Sequence, residues 1–211
     1  MIKITDISQV LYYIDGLDAV IFDLDDTLCL EKEYVSSGYD AVAKILPQIK
    51  NVKKKLWDYF LKKKNAIDEL LKGEGIYSDE LHEKCLQAYR QHVPQLNFIS
   101  GACEVLRAIR EKGLKIGVIT EGRPCGQRAK IKALKLNNYV DEIIIADELG
   151  GVSYRKPNPY VFEYMAKKLK CDVKKMCYIG DNISKDLIAP EKLGMRAIYF
   201  INKDGIYYKP D

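Results

Sequence analysis

At 211 residues the chain is long enough for one medium domain carrying a large insertion. Its net charge of +4 suits anionic small molecules and is too weak to argue for nucleic acid. Six cysteines without a C-x-x-C pair, and only two histidines, exclude a zinc pattern, and the cysteines read as reduced thiols and not as a disulfide framework.

No run approaches the ~20 apolar residues that a membrane helix needs, and the N-terminus has no secretory pattern, so the expected compartment is the cytoplasm. Ile4, Ile7, Val10, Leu11 and Ile14 lie near a helical period and predict a packing helix, opened by Asp6 or Ser8 and closed by Gly16. Ala19 to Phe22 is a short apolar run of the kind that forms a buried strand. It ends abruptly in Asp23, Asp25 and Asp26, with Thr27 next. Clustered carboxylates repel one another, and a cation is the obvious group to hold them together. Asp26 reads as a turn or hydrogen-bonding residue, and Thr27 as a cap on the following turn.

From residue 31 to 96 the texture changes to Lys, Leu, Glu and Ala with few strand signals. Val42, Ile45, Leu46 and Ile49 form one apolar stripe, and Leu56, Tyr59, Phe60, Lys63 and Ile67 continue as another. Ser78 is an expected N-cap, with Asp79 and Glu80 in the first turn. A strand followed by helices alone for this long is no ordinary crossover, so residues 31–96 read as an all-helical insertion. Its lysines, Lys50, Lys53, Lys54, Lys55, Lys62, Lys63 and Lys64, form either a solvated face or a field that draws in a phosphorylated substrate.

After Pro94 helix and strand alternate. Strands are expected at 115–120, 142–146, 176–179 and 196–200. Helices are expected at 102–111, 127–136, 158–169 and 185–193, the last interrupted by Pro190. The fold class is therefore α/β: a Rossmann-like parallel sheet core, residues 1–30 and 97–211, with an inserted all-helical cap at 31–96. The strand ends carry unusual polar residues: Asp23 and Asp25, Thr120, Lys156 in the loop after the third strand, and Asp181 with Asp186. In a parallel sheet such ends share one edge and converge.

Four motifs occur in order: D-x-D-x-T from Asp23 to Thr27, a threonine ending a strand at Thr120, a lysine before a helix at Lys156, and G-D-x-x-x-x-D at Gly180, Asp181 and Asp186. In these the chain resembles the haloacid dehalogenase (HAD) superfamily, in its subgroup with a helical cap after the first strand. The resemblance implies a phosphomonoester hydrolase acting on a small phosphorylated metabolite, with Mg²⁺ as cofactor and neither nucleic acid nor membrane as partner. It implies Asp23 as nucleophile, forming an aspartyl-phosphate, and Asp25 as the acid and then the base. The metal ligands implied are the Asp23 carboxylate, the Asp25 backbone carbonyl and the Asp181 carboxylate. Thr120 would grip a phosphoryl oxygen and Lys156 would neutralise charge. Asp186 would orient Lys156 or a metal-bound water, with Thr27 in support. Asn182 reads as a phosphate or metal-shell contact or as a turn residue. Gly180 is expected to permit a close backbone approach.

Glu121 departs from the family's usual asparagine after the threonine. It points away, binds a polar part of the substrate, or pairs with Arg123. The cap is expected to close over the substrate and exclude water. Alternative functions on the same scaffold are a phosphomutase, a haloacid dehalogenase and a non-catalytic phosphate-binding module. Nothing in the sequence sets an oligomeric state.

Overall fold

The computed structural model describes residues 1–206 and 208; Tyr207 of the tail lies outside them. The chain divides into two compact units, residues 1–31 with 96–211, and residues 32–95.

Six strands build the sheet of the first unit: β1 (Ile2–Ile4), β2 (Ala19–Phe22), β3 (Lys115–Thr120), β4 (Glu142–Ile145), β5 (Met176–Gly180) and β6 (Arg196–Phe200). Every pairing is parallel, in the order β1-β6-β5-β2-β3-β4. The all-apolar β2 takes a central place because both of its faces are buried. Ala19, Ile21, Ile119 and Tyr178 pack with Phe162 and Met165 of a helix at Tyr160–Leu169, while the intervening Val20 and Phe22 alternate to the opposite face. That helix lies close on the sheet because position 117 is glycine: a Cβ there would sit 2.8 Å from both Ile21 and Met165.

The N-terminal segment differs from expectation. Ile2–Ile4 is an edge strand paired with β6, and Ile7–Tyr13 is a 3₁₀ helix in place of an α-helix. Asp6 does open it, in a capping box with Gln9. Within it the buried residues Ile7 and Val10 are three apart, which fits a 3₁₀ period better than 3.6.

The second unit is helical. Helix α1 (Glu31–Ile45) runs into it, followed by α2 (Val52–Leu61), α3 (Ala66–Gly73) and α4 (Asp79–Gln91). Ser78 caps α4 as expected, accepting from the Leu81 N–H. The stripe read as continuous from Leu56 to Ile67 is two helices, parted where Lys63 takes φ +56°. Tyr39 stacks edge-on against Trp57 at 5.6 Å and lies 5.7 Å from Tyr89, so these rings form part of the unit's own core.

Back in the first unit, α5 (Ala102–Glu111) packs on β3 and on the 3₁₀ segment, and α6 (Pro124–Ala133) follows β3. The short α7 (Ala146–Gly150) follows β4, α8 (Tyr160–Leu169) packs on β3 and β4, and α9 (Ile188–Lys192) precedes β6. The helix expected at 185–193 starts with a π-helical turn, Ile183–Leu187. Pro190 has no N–H to give the carbonyl four residues back, which frees that turn to widen.

Candidate active site

Register sets the site. Phe22 lies level with Ile179 on one side and Val118 on the other, so residues just past β2, β3 and β5 emerge together. The chain leaves β2 for β3 on one side and later returns to β5 on the other, the switch point at which open parallel sheets bind ligands.

Lys156 is the hub. Its side chain is only 1% exposed, and its Nζ lies 2.8 Å from Asp23 Oδ1, 2.7 Å from Asp186 Oδ1 and 2.9 Å from the Tyr178 hydroxyl. These contacts use the full donor capacity of an ammonium group. Burial works against its charge, yet Asp186 and Asp23 hold its pKa well above the ordinary lysine value. Asp186 is fixed in turn, its Oδ2 accepting from the Asn182 N–H at 2.9 Å. It sits where a Cβ on residue 180 would be, 2.4 Å from its Cγ, so Gly180 makes room for this carboxylate. Tyr178 of β5, which the sequence did not single out, supplies a buried polar handle. A hydroxyl in an otherwise apolar strand was the available signal.

Oxygens of Asp23, Asp181 and Asp186 all lie within 4.8 Å of one another. Burial raises the Asp23 carboxyl to about 7 against the pull of Lys156. Burial also raises Asp181, to about 8, with the Asp23 and Asp186 carboxylates adding to it. Asp23 Oδ1 accepts from the Leu24 N–H as well as facing Lys156. Among the described residues, no hydrogen bond is directed at Asp23 Oδ2 or at the Asp181 carboxylate. The donor set is all oxygen, crowded and short of positive charge, which fits a small hard divalent cation.

The Asp25 carboxylate is outside that group. Its Oδ1 lies 2.6 Å from Lys130 Nζ and its Oδ2 accepts from Gln127 Nε2 at 3.0 Å. Thr120 is buried at the end of β3 and donates its hydroxyl proton to Gln127 Oε1 at 3.1 Å. Neither Gln127 nor Lys130 was singled out from the sequence, because both read as ordinary members of an amphipathic helix. Glu121 does not pair with Arg123. Its Oε1 meets Lys185 Nζ at 2.8 Å, and its Oε2 accepts from the Lys156 N–H at 3.1 Å. Asn182 uses its Oδ1 to accept from the N–H and hydroxyl of Ser184, which is turn chemistry.

Asp26 takes φ +53° and accepts hydrogen bonds from the N–H groups of Glu31 and Ile206, while its carbonyl accepts from Asn202 Nδ2. It is a hydrogen-bonding turn residue, as expected. Thr27 is not the expected cap. It is fully buried, and its hydroxyl has no partner among the described residues. The turn instead closes through backbone bonds from Leu28 and Cys29 to the Leu24 carbonyl.

A glyceraldehyde 3-phosphate phosphatase of Pyrococcus abyssi is 32% identical over 113 residues, covering 54% of this chain and 44% of the relative. The chain thus matches less than half of that relative's length. A protein of the same name from Methanocaldococcus jannaschii is 25% identical over 197 residues, covering 85% and 82% of the two chains. Among solved structures, the HAD-hydrolase YfnB of Bacillus subtilis, bound to magnesium, superposes with a TM-score of 0.64 at 18% identity, over 92% of this chain and 90% of that one. At that identity the likeness concerns the fold. Residues 20–200 match the family model described as haloacid dehalogenase-like hydrolase. With that match across most of the chain, and the parallel sheet and its polar strand ends in place, the chain belongs to the haloacid dehalogenase-like hydrolase family.

Proposed function

We propose that the protein is a Mg²⁺-dependent phosphomonoesterase that hydrolyses a small phosphorylated metabolite through an aspartyl-phosphate on Asp23. The observation that carries this reading is the buried ammonium of Lys156 set 2.8 Å from Asp23, beside the Asp181 carboxylate. A carboxylate attacks a phosphate only where negative charge is neutralised, and this is where the chain concentrates such groups.

In this reading Asp23 attacks phosphorus through the oxygen that Lys156 does not hold. The bond to the leaving oxygen breaks as Asp25 gives that oxygen a proton. Asp25 then takes a proton from the water that attacks the phosphorus, and the bond to Asp23 breaks to release inorganic phosphate. The Asp23 and Asp181 carboxylates and the Asp25 backbone carbonyl would hold Mg²⁺. When bound, the ion supplies positive charge against the carboxylates and the phosphoryl oxygens. Lys156, held by Asp186 and Tyr178, adds a fixed positive charge. For Thr120 to grip a phosphoryl oxygen, its proton must turn away from Gln127. Glu121 and Asn182 would contact the substrate or its phosphate, with Thr27 a supporting residue of the turn.

The 32–95 unit is the helical cap of this proposal. The names of the relatives support a triose phosphate as the first substrate to try. No helix among the described residues is long and apolar enough to cross a membrane, and none of the six cysteines is in a disulfide, which supports a cytoplasmic location.

The test is a panel of triose phosphates, phosphorylated sugars, nucleotides and carboxylates scored for released phosphate, with wild type and Asp23→Asn. Wild type is expected to release phosphate only with Mg²⁺. The variant should lose at least about 10³-fold in rate while keeping its far-UV spectrum. A variant within tenfold of wild type removes the covalent mechanism. An isomer formed without free phosphate would point to the mutase, and turnover of a haloacid that survives chelation to the dehalogenase.

A further inference from the structure

We propose that Gln127 and Lys130, three residues apart on α6, are positioning residues that fix the carboxylate of Asp25. The proposal rests on the reading of Asp25 as the proton-handling residue and adds the part of the chain that aims it. Asp25 is held at both oxygens from one helix, Oδ1 by Lys130 Nζ at 2.6 Å and Oδ2 by Gln127 Nε2 at 3.0 Å. Two contacts on two oxygens set the carboxylate's plane as well as its place.

The Gln127 amide has one workable orientation. Its nitrogen faces two acceptors, Asp25 Oδ2 and the Glu121 carbonyl at 3.1 Å, and its oxygen takes the Thr120 proton. Reversed, it would set a carbonyl against a carboxylate. Gln127 therefore joins the proton-handling residue to the threonine proposed to grip the phosphoryl group.

Lys130 is an expensive residue to use as filler. Its side chain is 4% exposed, while the Asp25 side chain is 20% exposed. A buried ammonium costs stability unless it is paired. The packing of α6 is already supplied by Ile131, with Leu134 just beyond its end. Asp25 is left open on one side and gripped on the other, the arrangement a group needs if it is to reach a leaving oxygen from a set direction.

The test uses p-nitrophenyl phosphate with Mg²⁺ on wild type, Lys130→Met, Asp25→Ala and the double variant. Nitrophenolate leaves without an acid, so the first burst does not need Asp25, whereas steady turnover needs it as the base. Lys130→Met is expected to keep its burst rate and kcat/KM within about threefold, and to slow steady turnover roughly 10- to 100-fold, with KM falling alongside as the phosphoenzyme accumulates. In the Asp25→Ala background the same substitution should cost less than about threefold. A burst slowed as much as turnover, or an equal cost in both backgrounds, overturns the proposal. If Lys130→Met does not fold, Lys130→Gln enters the same cycle with the same criteria. If the wild type hydrolyses no phosphoester, the functional reading fails. The positioning claim is then decided by a crystal structure of the Lys130→Met or Gln127→Met protein: a displaced Asp25 carboxylate upholds it, and one within about 0.5 Å of its wild-type place overturns it.

Discussion

Gly180→Ala tests the centre of the site without touching a reacting atom. The new Cβ would lie 2.4 Å from both Cγ and Oδ2 of Asp186, against an ordinary contact of 3.4–4 Å. Asp186 must move by about 1 Å, and at 1% exposure it has no open space to move into. Its bonds of 2.7 Å to Lys156 and 2.9 Å to the Asn182 N–H then stretch beyond hydrogen-bond range. Overpacking costs about 1–3 kcal/mol and weakening a buried, hydrogen-bonded ion pair adds a comparable amount, so a loss of about 3 kcal/mol is expected. The single tryptophan, Trp57, lies in the helical unit, so fluorescence would report on the wrong part of the chain. Hydrogen exchange of the β5 amides is the suitable readout, and about 3 kcal/mol corresponds to roughly 10²-fold faster exchange. Protection within about threefold of wild type would mean that Asp186 is not seated as described.

Gly38→Ala probes the other unit. Its Cβ would lie 2.6 Å from two ring carbons of Tyr89, and a loss of about 1–3 kcal/mol is expected in a urea melt followed by Trp57 fluorescence; an unchanged midpoint would count against that packing. The acidic cluster predicts a pH dependence. Asp23 and Asp181 are raised from 3.8 to about 7 and about 8. They therefore favour the fold below about pH 4, and that contribution is lost as pH climbs through their folded values. A cation competes with those protons, so Mg²⁺ should raise Tm more at about pH 8.5 than at about pH 6. An equal or smaller shift at the higher pH refutes the assignment of these carboxylates to the ion.

Much of this architecture could be read from residue pattern. Ala19–Phe22 announced a doubly buried strand because nothing polar interrupts it, and Asp23, Thr120, Lys156 and Asp181 stood out as polar residues at strand ends. The features that escaped are of two kinds. Some are short: Ile2–Ile4 is a three-residue edge strand, too brief to separate period two from the helical pattern that follows. Others depend on tertiary neighbours. Lys130 and Gln127 carry no periodic signal of their own, and only the approach of α6 to the turn after β2 makes them partners of Asp25. The pairing of Glu121 with Lys185 spans 64 residues, whereas a local reading reaches only as far as Arg123. The orphan hydroxyl of Thr27 runs against the usual inference from its residue type, since a threonine just after a turn ordinarily caps something.

The ties of Asp26 have a consequence for how the molecule is assembled and handled. Its carboxylate clasps the N–H of Ile206, 180 positions downstream, and its carbonyl takes the Asn202 amide. The loop that bears the reactive aspartates is synthesised early, yet it lacks these two clasps until nearly the last residue described has been made. An affinity tag grafted at residue 202, or a cut there, would loosen a loop 176 positions upstream.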